Sequence, residues 1–233
     1  MTVAMLHRLQ KGAGRFATDQ RGASLIEFAL AMPLVLGCGM WGLEMSNYAI
    51  ANLKVSQVAL NLADNASRVG VDSGLSTVQL REVDINDVLQ GARLQGSSIN
   101  LGENARVTLT SLENRKGEQR IHWQRCLGKK QGKNWASHYG STTADAGTAP
   151  DKPGTLATSG MGPTGAKVNA PPESGVMFVE INYNYKPLMG TMVMSPTRIH
   201  YIASFIVRDR RDFTQLYNPE PQATLSTCNK YTA

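Results

Sequence analysis

The residues with the widest chemical reach in this 233-residue chain are three cysteines and four histidines. His122 and Cys126 are four apart, a spacing that invites a metal reading. On a strand, residues i and i+4 share a face but stand about 13 Å apart, too far for one ion. His138 and His200 have no acidic or cysteine cluster beside them in the sequence and read as surface or sheet residues. The stretch Gly160-Met161-Gly162-Pro163-Thr164-Gly165 matches G-x-G-x-x-G in letters. A dinucleotide loop needs a strand before it and a helix opening within it. Here Pro163 interrupts and Pro171-Pro172 follows, so the match is rejected. No G-x-x-x-x-G-K-[ST] and no G-x-S-x-G occurs, and nothing positions a Ser/His/Asp triad. The expectation is therefore no catalytic residue, no metal site and no cofactor. The run Arg208-Asp209-Arg210-Arg211-Asp212 has mixed sign and reads first as a solvated strand end, with a nucleic-acid or partner patch as the secondary reading.

The elements that must carry these residues start with an unusual front end. Segment 1–22 holds Arg8, Lys11, Arg15 and Arg21 against the single acid Asp19. An apolar run comes next, from Ala23 to Leu43, interrupted by one charge, Glu27. As a helix that run spans roughly 31 Å, enough for a hydrocarbon core of about 30 Å. Basic residues in front of it predict a cytoplasmic N-terminus and an exported C-terminal part. The whole-chain charge of +6 falls to +3 when the four basic and one acidic residues of 1–22 are set aside, which weakens a nucleic-acid reading. An ordinary secretory signal has a shorter apolar core and a small-residue cleavage site after it; this run is longer and no Ala-x-Ala lies just beyond it. Two readings of Glu27 are open. An intramembrane acid is a functional hypothesis by default, whereas an acid near the headgroups is simply solvated.

The stretch Arg21-Gly22-Ala23-Ser24-Leu25-Ile26-Glu27-Phe28 resembles a type IV prepilin processing site. The longer string RGASLIEFALAMPLVL, followed by GLEMSNYAIANLKVSQVALNLADNASR, is similar to the TadE-like pseudopilins of Tad (Flp-type) pilus systems. The resemblance covers roughly residues 20–70 and leaves the rest of the chain without a family motif. It implies that a prepilin peptidase cuts between Gly22 and Ala23, and that Glu27, fifth in the mature chain, pairs with the N-terminal amine of a neighbouring subunit. It further implies an inner-membrane precursor, a pilus or cell-surface destination, and other pilin subunits, assembly machinery and membrane lipid as partners. The size of the chain argues for a minor subunit, since major subunits of this class are much shorter.

Beyond the apolar run, Ala51, Val55, Val58, Leu62, Ala66 and Val69 recur at helical spacing, extending one long helix over 23–70 with Gly70 as its stop. That stripe packs on its own domain in the simpler reading and between subunits in the pilin-like one. Pro33 should kink or locally open the helix. Residues 71–104 read as a connector with one or two short helices, with Ser76 and Gln79 as a possible capping box and Gly91 as a stop. Residues 105–112 and 119–126 alternate as strands joined by the polar turn ENRKGE. Residues 128–175 are half Gly, Pro, Ser and Thr (24 of 48) and read as a long, irregular and mobile excursion. Two strands come after it. Met177, Val179, Ile181, Tyr183 and Tyr185 share one face of the first; Ile199, Tyr201, Ala203, Phe205 and Val207 share one face of the second. The expected fold is α+β: a long helix, membrane-spanning in its first half, whose back half packs on a small antiparallel sheet of about four strands in a 71–233 head. Export would place Cys126 and Cys228 in an oxidising compartment and favour a disulfide between them; two free thiols or a bond to another chain are the alternatives. Cys38 reads as a small buried hydrophobe.

A rival reading from a different class is a single-span, membrane-anchored periplasmic binding protein outside any pilus, in which the spacing of Glu27 is coincidental. A third is an exported enzyme whose site carries no motif.

Overall fold

Helix formers dominate residues 23–68, and Pro33 is the one residue among them that cannot donate a helical hydrogen bond. In the computed structural model, which describes residues 22–72 and 77–233, they form a single helix of 46 residues, α1 (Ala23–Arg68), continuous through Pro33. The leader up to residue 21 and Ser76 lie outside the described residues. The helix ends at Arg68, two residues before Gly70, and Val69 N–H donates to Asn65 O at 2.9 Å. Its last carbonyls are then served from far along the chain. Arg211 donates through Nη1 to Ala66 O at 3.1 Å and through Nη2 to Val69 O at 2.8 Å. Arg211 is buried (6% exposed), so the charge run is solvated at Arg208 and Arg210, as expected, but not at Arg211. A helix C-terminus exposes orphan carbonyls and negative dipole charge, and a guanidinium answers both.

Two short strands, β1 (Val71–Asp72) and β2 (Val78–Gln79), pair antiparallel. Helix α2 (Glu82–Gln95) follows. Gln79 is therefore in a strand, and the cap is made by Arg81 with Asp84, whose Oδ2 accepts the Arg81 amide at 3.0 Å. Gly91 does not stop the helix, which runs on to Gln95. A glycine inside a helix costs only about 1 kcal/mol, and burial of Leu89 and Ala92 on either side of it offsets that. After the single turn α3 (Leu101–Asn104) come β3 (Ala105–Arg115) and β4 (Glu118–Leu127). Lys116 (φ 52°) and Gly117 (φ 81°) join them as a two-residue turn with positive φ at both positions, the geometry whose twist matches a hairpin.

The sheet is completed by β5 (Thr155–Leu156), β6 (Ser174–Tyr185) and β7 (Thr197–Ile206). Its order is β5-β4-β3-β6-β7, with every neighbouring pair antiparallel. The expected four strands are all present, and β5 is a fifth that the excursion adds at one edge. The odd-numbered residues 177–185 face α1, and with Ile199, Ala203 and Val207 they bury against Ala51, Val55, Val58, Leu62 and Ala66. The helical stripe thus packs on the chain's own sheet. The opposite face is covered by the excursion, which is irregular as expected but packed. Met161 and Ala170 are buried against Leu112, Ile121, Val176 and Phe178, with Tyr139, Ala157 and Val168 at the margin.

Candidate functional site

The front of α1 is the first candidate. Gly22 is the residue before the helix and Ala23 its first residue. Glu27 lies one turn on, on the same face as Ala23, and is exposed. The structure therefore brings the three predicted site residues together at one helix end. Leu25, Ile26, Phe28, Leu30, Leu34, Val35, Leu36, Trp41 and Leu43 are all more than half exposed. Helix α1 is long and apolar enough to cross a membrane, and none of its most apolar stretch is buried inside the protein. Cys38 lies in this stretch and is exposed rather than buried, ahead of the point where the described residues of the head first bind the helix.

The head grips the helix from the residue after that apolar run. Glu44, fully buried, accepts a hydrogen bond from the Tyr185 hydroxyl and another from the Met189 amide at 3.0 Å. Asn47 Nδ2 donates to the same tyrosine oxygen at 2.7 Å. The Tyr185 hydroxyl and the Met189 amide hold the Glu44 carboxyl below its ordinary range. Burial, reinforced by the Glu44 carboxylate, pushes the Tyr185 hydroxyl up to about 12. No sequence pattern singled out Glu44, which reads simply as the first polar residue after the apolar run.

Two of the three cysteines are joined: Cys126 and Cys228 form a disulfide that closes 102 residues of chain. Arg106 holds the same tail. It donates through Nη1 to Gly128 O (2.8 Å) and Lys230 O (2.9 Å), through Nη2 to Cys228 O (2.6 Å), and stacks 4.5 Å from the Tyr231 ring centre.

A cavity of about 430 Å³ opens beside the β3–β4 turn, between that hairpin and the Pro150–Pro153 loop, with Arg115, Lys116 and Arg120 around it. Its buried members are Glu113 and His122, 3% and 5% exposed. The ladder shifts register between Ser111 and Leu112, leaving His122 as the extra residue of a bulge. Bulges re-aim side chains, and this one sets His122 Nδ1 2.8 Å from Glu113 Oε2, though neither atom meets a partner in hydrogen-bonding geometry. His122 and Cys126 do not meet: Cys126 is in the disulfide.

His138 and His200 require a correction, because an acid does stand beside both. Glu180 is 1% exposed, on the face of β6 away from α1. His200 sits opposite Asn182 on β7 and so lies diagonal to Glu180 on that face. His138 comes from the excursion. Glu180 Oε1 is 2.7 Å from His138 Nδ1 and 3.0 Å from His200 Nε2. Its Oε2 accepts from Ser137 Oγ at 2.9 Å and from the His138 amide at 3.0 Å. Burial alone would raise the Glu180 pKa, but the hydrogen bonds from His200, His138, the His138 amide and Ser137 outweigh it and hold it below its ordinary value. The three residues are 42 and 20 positions from one another along the chain, and only the alternation of β6 and β7 carried any trace of the pairing.

The Gly160–Gly165 match lies in irregular chain, with neither the strand nor the helix that a dinucleotide loop requires. Comparison with models of known families, with curated proteins and with solved structures finds no match. What the structure defines is an α+β head clamped to the back half of one long helix whose front half is apolar and bare.

Proposed function

We propose that the chain is a minor pseudopilin of a Tad/Flp-type pilus, held in the inner membrane by the first half of α1 and processed by a prepilin peptidase between Gly22 and Ala23. The observation that carries this reading is the division of α1. Its front half is apolar and exposed, while its back half is bound to the head through Glu44 and the Ala51–Ala66 stripe. A subunit built this way sits with its helix in lipid and its head outside, and on extraction can exchange lipid for the helices of neighbouring subunits. Ile50, Leu53 and Leu60 support the second step: they are exposed on α1 beyond the apolar run and offer a further outward surface to such neighbours. In this reading Glu27 is tolerated in an apolar setting because a neighbour's terminal amine pairs with it. The protein has no active site of its own and acts in assembly, priming or at the tip.

Intact mass and N-terminal sequencing of protein from its native membrane test the proposal. The expected mature chain begins at Ala23. A chain still beginning at Met1, in a host with an active prepilin peptidase, overturns it. Glu27→Ala is expected to leave cleavage largely intact and to impair assembly, and normal piliation in that variant would remove the registry role.

The cavity around Glu113 and His122 favours a second reading, a single-span membrane-anchored periplasmic binding protein. Glu113 Oε2 and His122 Nδ1, both buried and without a well-aligned hydrogen bond, are the kind of atoms a polar ligand satisfies. Unprocessed protein that stays in the membrane fraction would move the balance to that reading.

A further inference from the structure

We propose that His138, Glu180 and His200 form a binding site for a divalent transition-metal ion of the zinc class, which clips the 128–175 excursion to the sheet. One donor atom from each residue lies within 4.8 Å of the others. Two imidazoles and one carboxylate are a donor set that suits zinc, whereas calcium and magnesium prefer all-oxygen shells. The site is built rather than incidental. Glu180 is fixed from behind by Ser137 Oγ, the His138 amide and Asn182 Nδ2, the last at 3.3 Å from Oε1. The two imidazoles approach from the solvent side, their side chains 34% and 28% exposed, so an ion can enter without opening the core. Donors around one zinc stand about 3.4 Å apart at tetrahedral geometry with ~2.1 Å bonds. The two pairs to Glu180, at 2.7 and 3.0 Å, reach that by opening less than ~1 Å, and the two ring nitrogens, no more than 4.8 Å apart, by closing at most ~1.4 Å, movements that ring rotation at the surface supplies. A fourth position faces solvent and takes a water.

Arg198 sets the competing state. Its Nη1 lies 3.0 Å from His138 Nε2. A guanidinium can only donate, so this contact fixes the ring proton on Nδ1, where it is given to Glu180. Coordination through Nδ1 needs that proton on Nε2 instead, and Arg198, which is exposed, must swing away. No proton need leave a neutral ring; it changes nitrogen. Arg198 thus acts against the metal, and its removal should tighten binding.

The test is a zinc titration of the full chain in detergent after chelation and removal of any affinity tag, with cobalt substitution for a spectrum. One zinc per chain at micromolar concentration is expected. His138→Ala and His200→Ala should each weaken binding more than ~100-fold, beyond the ~10–100-fold that loss of an outer-shell partner causes. Arg198→Ala should strengthen it. Zinc should also slow proteolysis within 128–175 in the unaltered chain and not in His138→Ala, a readout that separates the clip from zinc held elsewhere. Absence of micromolar binding, or binding that survives both histidine substitutions, overturns the proposal.

Discussion

At the scale of single residues, the head depends on charges buried where burial is expensive. Arg125 and Glu82 are fully enclosed, with Arg125 Nε 2.9 Å from Glu82 Oε2, a second bond from Nη2 to Oε1, and Nη1 on Gln124 O at 2.8 Å. Removing one partner of such a pair costs about 3–5 kcal/mol, while replacing both with apolar residues of similar volume is near neutral or stabilising. Glu82→Ala should therefore lower the urea midpoint sharply, and Glu82→Met with Arg125→Leu should recover most of the loss. If single and double variants unfold alike, the pair is not the unit that matters. Arg211→Ala should cost about 1.5–3 kcal/mol through the two lost helix-end bonds, again read by urea unfolding. Other buried groups give a pH profile. Glu44 and Glu180 have folded pKa values below the ordinary 4.5, so the unfolded chain binds more protons in acid. Their contribution is present at neutral pH and is lost as pH falls from about 5 through the folded values. Tyr185 has the opposite sign. Raised to about 12, it stabilises the fold below the ordinary value of 10.0, and that contribution is lost as pH rises toward about 12. Thermal unfolding across both limbs checks this, and Tyr185→Phe should flatten the alkaline one.

At the scale of elements, what the sequence made legible were the patterns whose period is local. The 3–4 spacing of the α1 stripe and the alternation in β3, β6 and β7 each name a face, and each face is buried where the period puts it; in β4 the bulge at His122 breaks the period, so Ile121 and Trp123 bury on opposite faces of the sheet. Truncating that stripe should be costly. Leu62→Ala should lose about 2–5 kcal/mol in the free protein. Leu60→Ala, exposed on the other side of the helix, should lose no more than ~0.5 kcal/mol there, by the same unfolding measurement. Contacts without a local period were not legible. Glu44 reaches Tyr185 across 141 positions and Arg211 reaches Ala66 across 145, so neither shows in any window of sequence. The His138–Glu180–His200 cluster was misread for the same reason: its acid is adjacent in the sheet, not in the chain. Half of the 128–175 segment being Gly, Pro, Ser and Thr correctly argued against regular structure but said nothing of packing. Its few apolar residues, Met161 and Ala170 among them, are what seat it on the sheet.

At the scale of the whole molecule, the chain is a three-layer stack. Helix α1 lies on one face of the sheet; the excursion lies on the other, where Cys228 ties the end of the tail to Cys126. The apolar front of α1 projects beyond the stack, and the first residue inside it, Glu44, is also the first that the head binds. Closing about 100 residues into a loop is worth about 4–5 kcal/mol of chain entropy. Reduced protein, or Cys126→Ser with Cys228→Ser, should therefore lose that much unfolding free energy and unfold at a correspondingly lower urea midpoint. An unchanged midpoint would mean that Arg106 and the backbone bonds from the Cys126 and Gly128 amides secure the tail without the crosslink.

The disulfide also has a mechanical meaning. A protein held at one end by its helix and at the other by whatever its far end grips would be pulled along its contour. The Cys126–Cys228 crosslink removes 102 residues from that contour, so roughly 350 Å of chain stays locked even after the head has come apart. In single-molecule stretching the oxidised protein should reach its full extension that much sooner than the reduced one, behaving under load as a short tether rather than a long spring.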